Sequence, residues 1–297
     1  MATMTKAPAP ERPDNRTEVR AASGAIKKLI FHLLLIAAGM VMIYPLLWML
    51  SASFKPIEEI FSDPGLIPTQ WEWSNYSEGW NALPHPFHKY IFNSLIIVAG
   101  CILGNLVSCS MAAYAFARLR FPFRGMFFAI MLGTIMLPIH VIIIPQYILF
   151  NNIGWVDTFW PLLVPKLLAT DAFFVFLMVQ FIRGLPKELD EAASIDGCGY
   201  WGTYLRVIMP LCMPALATTA IFTFIWTWND FYSQLIYLRD PDMQTVPLAL
   251  RLFMDSQGQT SWGALFAMSI VALGPIFGFF LAGQRYLVRG IATTGIK

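Results

Sequence analysis

Five stretches of this chain contain no Asp, Glu, Lys or Arg: residues 29–54, 90–116, 125–156, 207–229 and 256–283. Each reaches the roughly 20 residues that a helix needs to cross about 30 Å of hydrocarbon. A sixth stretch, 158–182, is interrupted only by Lys166 and Asp171. The runs are continuously apolar rather than alternating, which argues against a transmembrane β-barrel and for helices. Charged residues are 13% of the 297, whereas soluble domains carry about 25%. The expectation is an all-α integral membrane protein of six transmembrane helices.

Basic residues orient it. With the amino terminus inside, fifteen Lys and Arg fall in inner segments at 6–28, 118–124, 183–206 and 285–297. Lys55, Lys89, Arg239 and Arg251 fall in outer segments. Because Lys and Arg are retained on the cytoplasmic side, both the N and C termini are predicted to be cytoplasmic. The basic residues sit where topology needs them and the net charge is only +2, so no nucleic-acid partner is implied. Run 29–54 is longer than a signal-peptide core and no small-residue cleavage site follows it, so it is predicted to stay as an anchor.

Residues 1–24, rich in Ala, Pro, Arg and Glu without apolar periodicity, are predicted to be a disordered cytoplasmic tail. Residues 25–89 form the first helix and an outer loop. Residues 90–290 form a five-helix core containing an inner loop at 183–210, and 291–297 are a short cytoplasmic tail. The outer loop combines Pro56, Pro64, Pro68, Pro84 and Pro86 with Trp71, Trp73, Tyr76 and Trp80. It reads either as an aromatic belt on the outer leaflet or as a docking surface for an external protein. Pro138, Pro145, Pro161 and Pro165 predict kinks in the third and fourth spans.

Several chemistries find no residues to carry them. No G-x-x-x-x-G-K-[ST] exists, so no P-loop ATP site is expected. No H-E-x-x-H or catalytic triad is visible, and His32, His85, His88 and His140 are scattered. Cys101, Cys109, Cys198 and Cys212 have no metal-like spacing. No enzymatic activity, metal or cofactor is expected in this chain.

The inner loop is informative. Pro186 suits the first turn of a helix, Glu188, Asp190 and Glu191 are acids near its positive end, and Gly197 suits its stop. About two turns are too short to be stable alone, so the helix must pack against something. A second helix is predicted from Tyr200 to Met209, ended by Pro210. Ala192 and Ala193 give the first helix a flat face that fits a groove on another protein. An amphipathic helix lying on the inner leaflet would be basic, whereas Glu188, Asp190, Glu191 and Asp196 outnumber Lys187 here.

Glu191-Ala192-Ala193, then Asp196-Gly197, Tyr204, Ile208, Pro210 and Pro214 resemble the EAA loop of permease subunits of bacterial ABC importers. The likeness extends over Ala112-Ala113-Tyr114-Ala115-Phe116-Ala117-Arg118, Trp228-Asn229-Asp230 and Gln284-Arg285-Tyr286-Leu287-Val288-Arg289-Gly290, in the manner of maltose-type sugar permeases. Cys198 stands where that family usually has Ala. The resemblance implies the type I ABC importer permease fold, with Glu188, Glu191, Ala192, Ala193, Asp196 and Gly197 coupling to an ATPase. It also implies a second permease subunit, two copies of a cytoplasmic ATPase that binds ATP and Mg, and a periplasmic solute-binding protein. The substrate it implies is a carbohydrate, or else glycerol phosphate or another polyol derivative, and loop 240–262 would help release it from the binding protein. A stand-alone secondary transporter would need paired broken helices or several intramembrane charges, and a membrane enzyme would need clustered acids or His.

Two groups of residues are candidates for the substrate path. Asp171 is a carboxylate near the middle of the fourth span, costly unless it meets a partner or a polar cavity. On one continuous helix Lys166 would lie about 140° away, so the two are not expected to share a face. They serve either as an interhelical lock or as a substrate contact. Trp226, Trp228, Asn229 and Asp230 combine flat aromatic faces with hydrogen-bonding groups suited to a sugar, or else mark an interfacial belt and a kink.

Overall fold

The computed structural model describes the backbone of residues 15–254 and 261–294, and side chains over 27–254 and 261–284. The tails at 1–14 and 295–297, loop residues Gln257, Gly258 and Gln259, and the side chains of the terminal 285–290 motif lie outside the described residues. Among the described residues every regular element is helical. Helix α1 (Asn15–Ala52) begins inside the segment expected to be a disordered tail. Five of residues 15–24 are good helix formers (Arg16, Glu18, Arg20, Ala21 and Ala22), and the stretch extends an existing helix, which spares it the cost of nucleation.

Among the described residues, four helical segments are long and apolar enough to cross a membrane: Lys27–Ala52, Phe87–Arg118, Trp160–Gly184 and Trp262–Gln284. Two more spans are bent pairs. Helices α5 (Arg124–Thr134) and α6 (Ile139–Asn152) meet at 99°, and the segments Tyr200–Leu211 and Met213–Trp228 meet at 76°. Counting each pair as one span gives the expected six. The first bend falls at Pro138, which precedes α6 with an extended ψ of 136° and cannot continue a helix from the residues before it.

Helix α4 (Phe87–Arg118) is the hub, packing along α7 (Trp160–Leu167), α8 (Ala172–Gly184) and α12 (Met213–Trp228). Its contact with α7 depends on a Gly-x-x-x-Gly pair that sequence reasoning passed over. A Cβ on Gly100 would sit 2.5 Å from Leu163, and one on Gly104 would sit 3.1 Å from the Lys166 backbone. Small residues one turn apart let two backbones approach closely in a bilayer. One turn further on, Ser108 donates to the Lys166 carbonyl at 2.6 Å.

Outside the spans, helices α2 (Ile57–Ser62) and α3 (Ser74–Asn81) shape the outer loop. Lys55 is buried beneath it, donating to the carbonyls of Asp63 and Gly65 at 2.7 Å each. The indoles of Trp71 and Trp73 stack on each other and remain exposed, while Phe54 meets Trp71 at a tilt and Trp73 edge-on. Helices α13 (Tyr232–Tyr237) and α14 (Val246–Met254), with a 3₁₀ turn at Pro241–Met243, connect to α15 (Trp262–Thr294). Asn93 ties this connection to α4, donating to the carbonyls of Asp242 and Gln244 at 2.9 and 2.8 Å. Lys89 and His85 both contact the Asp242 carboxylate, the His at 2.8 Å.

Candidate functional site

The inner loop forms helix α9 (Glu188–Ile195), with Glu188, Asp190 and Glu191 in its first turn, where the helix dipole favours negative charge. Its end is a Schellman motif. The Gly197 N–H donates to Ser194 O at 3.1 Å and the Cys198 N–H to Ala193 O at 2.9 Å, with Gly197 at φ +79°. Glycine carries that left-handed φ without the steric cost a Cβ would bring.

After α9 the chain runs through α10 (Tyr200–Thr203), a π-helical turn at Tyr204–Ile208 and α11 (Met209–Leu211), and breaks at Cys212. The predicted stop at Pro210 is therefore corrected: the helix passes through Pro210. Proline cannot donate to the carbonyl four residues back, and the wider π turn just before it relieves the register.

Helix α4 holds this assembly through one stripe of side chains at i, i+4 and i+8. The hydroxyls of Ser110 and Tyr204 hydrogen-bond at 2.7 Å, and the Tyr114 ring packs on Tyr204 at 5.4 Å. Arg118 pairs with Asp190 at 3.0 Å and donates to Leu185 O at 2.8 Å. Ala193 is buried against this support, whereas Glu188, Glu191, Ala192, Asp196 and Gly197 face outward. Ile195, Tyr200, Trp201 and Leu205 leave 60–86% of their surfaces uncovered around them.

The second candidate site lies where the spans break. Helix α7 ends at Leu167, Ala169 takes a left-handed φ of 55°, and α8 restarts at Ala172. Lys166 Nζ reaches both Asp171 carboxylate oxygens, at 2.9 and 2.8 Å. The expectation that Lys166 and Asp171 do not share a face is thus corrected, because 100° per residue applies only to an unbroken helix. Asn105 donates to Asp171 at 2.7 Å and to Thr223 at 3.0 Å, which joins α4, α8 and α12. Lys166 thus sits on Asp171, Asp171 on Asn105, and Asn105 on the same helix that holds the inner loop.

Two cavities of about 620 and 650 Å³ adjoin this cluster, and Lys166, Asp230 and Ser233 line both. The first is bordered by both breaks, through Thr134 and Leu137 on one side and Ala169 and Thr170 on the other. Trp226 and Asn229 line the second. Trp228 lines neither: it is 2% exposed and stacks on Phe224 at 5.6 Å. Residues two apart on a helix point to nearly opposite sides, so Trp226 and Trp228 were bound to separate. Gln146 and Tyr237, which the sequence reading did not single out, also line the first cavity.

The model of the family described as binding-protein-dependent transport system inner membrane component matches residues 99–293. The permease protein of a diacetylchitobiose uptake system from Streptomyces coelicolor is 31% identical over 276 residues, 92% of this chain and 91% of the relative. The permease protein of an sn-glycerol-3-phosphate transport system from Yersinia enterocolitica is 32% identical, with 88% and 94% covered. In fold, the chain is similar to a bacterial ABC transporter involved in import of the acidic polysaccharide alginate. That match has a TM-score of 0.77 and 20% identity, covering 89% of this chain and 97% of that one. The broken spans, the inner loop clamped to α4 and the matched residues agree: this chain belongs to the multi-pass inner-membrane permease components of binding-protein-dependent transport systems.

Proposed function

We propose that this chain forms half of the path of an ABC importer for a neutral carbohydrate, with both termini and α9 in the cytoplasm. Helix α9 couples it to a separate ATPase, which binds ATP and Mg. A second permease subunit completes the path, two ATPase copies drive it, and a periplasmic binding protein delivers the sugar. The observation that carries the coupling role is the construction of α9. Two turns of helix are braced from behind by Arg118, Tyr204 and a Schellman stop, while Ala192, Glu191 and an uncovered apolar rim face outward. A rigid short helix with an unpartnered face is suited to carrying displacement from another protein into α4.

Charge favours a neutral substrate. Lys166 is the one cation among the described residues that line the two cavities, and Asp171 neutralises it, leaving the Asp230 carboxylate in excess. Hydroxyl, amide and carboxylate groups there suit sugar hydroxyls, whereas a glycerol phosphate would meet repulsion. The resemblance to the glycerol-phosphate permease keeps that substrate as the second reading.

The test uses the transporter reconstituted with its ATPase, partner permease and binding protein. E191K and G197D should assemble but lose substrate-stimulated hydrolysis and uptake. Retention of assembly, stimulated hydrolysis and uptake in both would defeat the coupling assignment. Binding of candidate sugars and of glycerol phosphate to the secreted protein identifies the cargo.

A further inference from the structure

Gln234 sits on α13, just past the point where α12 ends at Trp228, and its side chain is buried beside the second cavity. Its Nε2 donates to the Thr227 carbonyl at 3.0 Å, and its Oε1 accepts from the hydroxyl of Thr245, itself fully buried. A carbonyl can only accept, so the Thr227 bond fixes which end of the amide is nitrogen and leaves the oxygen to the hydroxyl.

Both ends of this bridge reach something that matters to the cavities. Thr227 O also receives the N–H of Asp230, at 3.3 Å, so the carbonyl that Gln234 grips closes the turn that carries Asp230 to both cavities. One oxygen of that carboxylate accepts the Ser233 N–H at 3.0 Å, which fastens it to the start of α13. At the far end, Thr245 belongs to the outer connection, whose neighbouring residues are bolted to α4. Asn93 holds the carbonyls of Asp242 and Gln244, and Ser94 accepts the Val246 N–H at 3.0 Å. Helix α13 is six residues long, too short to keep its place unaided. The turn with Asp230 therefore takes its position from the outer connection through one amide side chain.

We propose that Gln234 is a positioning residue of the path, acting through Asp230: it holds that carboxylate toward the cavities in register with the outer connection at 242–246. The proposal rests on the reading of these cavities as the cargo path. When residues 242–246 shift, the Thr245 hydroxyl carries Gln234 with it, the Thr227 carbonyl loses its second donor, and the turn that presents Asp230 relaxes. Movement at the outer surface thus reaches a cargo-facing charge directly.

Half-buried Ser233 lines both cavities and offers a place to measure that charge. The material is the assembled transporter carrying S233C and C198A, since Cys101, Cys109 and Cys212 are buried. The readout is the ratio of thiol modification rates by a cationic and an anionic methanethiosulfonate of similar size, which follows local charge and cancels changes in access. D230N should lower that ratio about fivefold, Q234M about threefold and T245V about twofold. Neither Q234M nor T245V should lower it further once D230N is present, because both act through that carboxylate. T245V removes a single hydroxyl and decides the matter where Q234M fails to assemble. An unchanged ratio in either variant would overturn the proposal, as would a D230N ratio equal to wild type. A fall as large with D230N as without it would also overturn it, by assigning the effect to loosened packing. Uptake unimpaired by D230N would instead defeat the path reading, and the cargo role with it, while the ratios still reported the contact.

Discussion

Replacing Asp171 by Asn removes the charge that holds the two halves of the fourth span together. Asp171 accepts from Lys166 at 2.9 and 2.8 Å and from Asn105 at 2.7 Å, and Asn keeps only one acceptor oxygen for the two donor groups that make these three bonds. The side chains of Lys166 and Asp171 are 30 and 24% exposed. The pair thus falls between exposed ion pairs, worth about 0–1 kcal/mol, and buried ones, whose breakage costs about 3–5 kcal/mol. A loss of about 2 kcal/mol is expected, lowering the unfolding midpoint of the purified complex in detergent by on the order of 5 °C. K166M alone should destabilise as well, by orphaning the carboxylate. The double variant K166M/D171N should be less damaged than the sum of the two, because no lone charge remains, with a coupling of about 1 kcal/mol or more. An unchanged midpoint for D171N, or strict additivity in the cycle, would refute the claim that the pair joins α7 to α8.

Other expectations follow from single contacts. G104V should force α7 away from α4, since even a Cβ would lie 3.1 Å from Lys166 backbone, and should destabilise by about 1–3 kcal/mol, whereas G133A, with open space around it, should not; parallel thermal melts compare them. Y204F removes the partner of Ser110 and should cost about 1 kcal/mol while loosening α9, read as faster amide exchange over 188–198. The Lys89 hydrogen bond and charge hold the Asp242 carboxyl below the usual carboxylate range. A depressed carboxylate contributes stability that is complete above its ordinary value, near 4, and is lost as pH falls through the depressed one. Amide exchange of residues 242–246 should therefore be flat from pH 7 to about 5, after correction for intrinsic rates, and show loosening only below about 4; K89M should shrink that acid step, leaving the part that His85 supports.

The sequence made the spans legible because charge is so costly in hydrocarbon that its absence marks them directly. The α9 helix and its Gly197 stop were equally legible, since cap chemistry is local. What failed was arithmetic on a helix that is not continuous. Lys166 and Asp171 were separated by 100° steps, yet the left-handed Ala169 interrupts the helical period within one span, and nothing in Leu167-Leu168-Ala169 announces a break. Two signals were available and undervalued: Thr170 and Asp171 form a polar pair in an apolar run, and Pro161 and Pro165 weaken the preceding helix. The Gly100–Gly104 contact needed the position of α7, which no local pattern supplies. Trp226 and Trp228 were grouped by composition, where the helical period already divided them.

The breaks in the third and fourth spans also bear on hydration. Every helix end leaves backbone donors or acceptors that lipid cannot satisfy. Ser108 and Thr170 cover the carbonyls of Lys166 and Pro165, but two helix ends and two helix starts meet around one cavity, more polar backbone than those hydroxyls can serve. Water must therefore enter the cavity. On the proposed path, a sugar arriving there would exchange its own hydration for groups already accustomed to water, so its passage would be a swap of hydrogen-bond partners instead of a climb out of solvent. Discontinuous helices, which look like defects in a membrane bundle, give the bilayer a local interior whose polarity matches that of the solute.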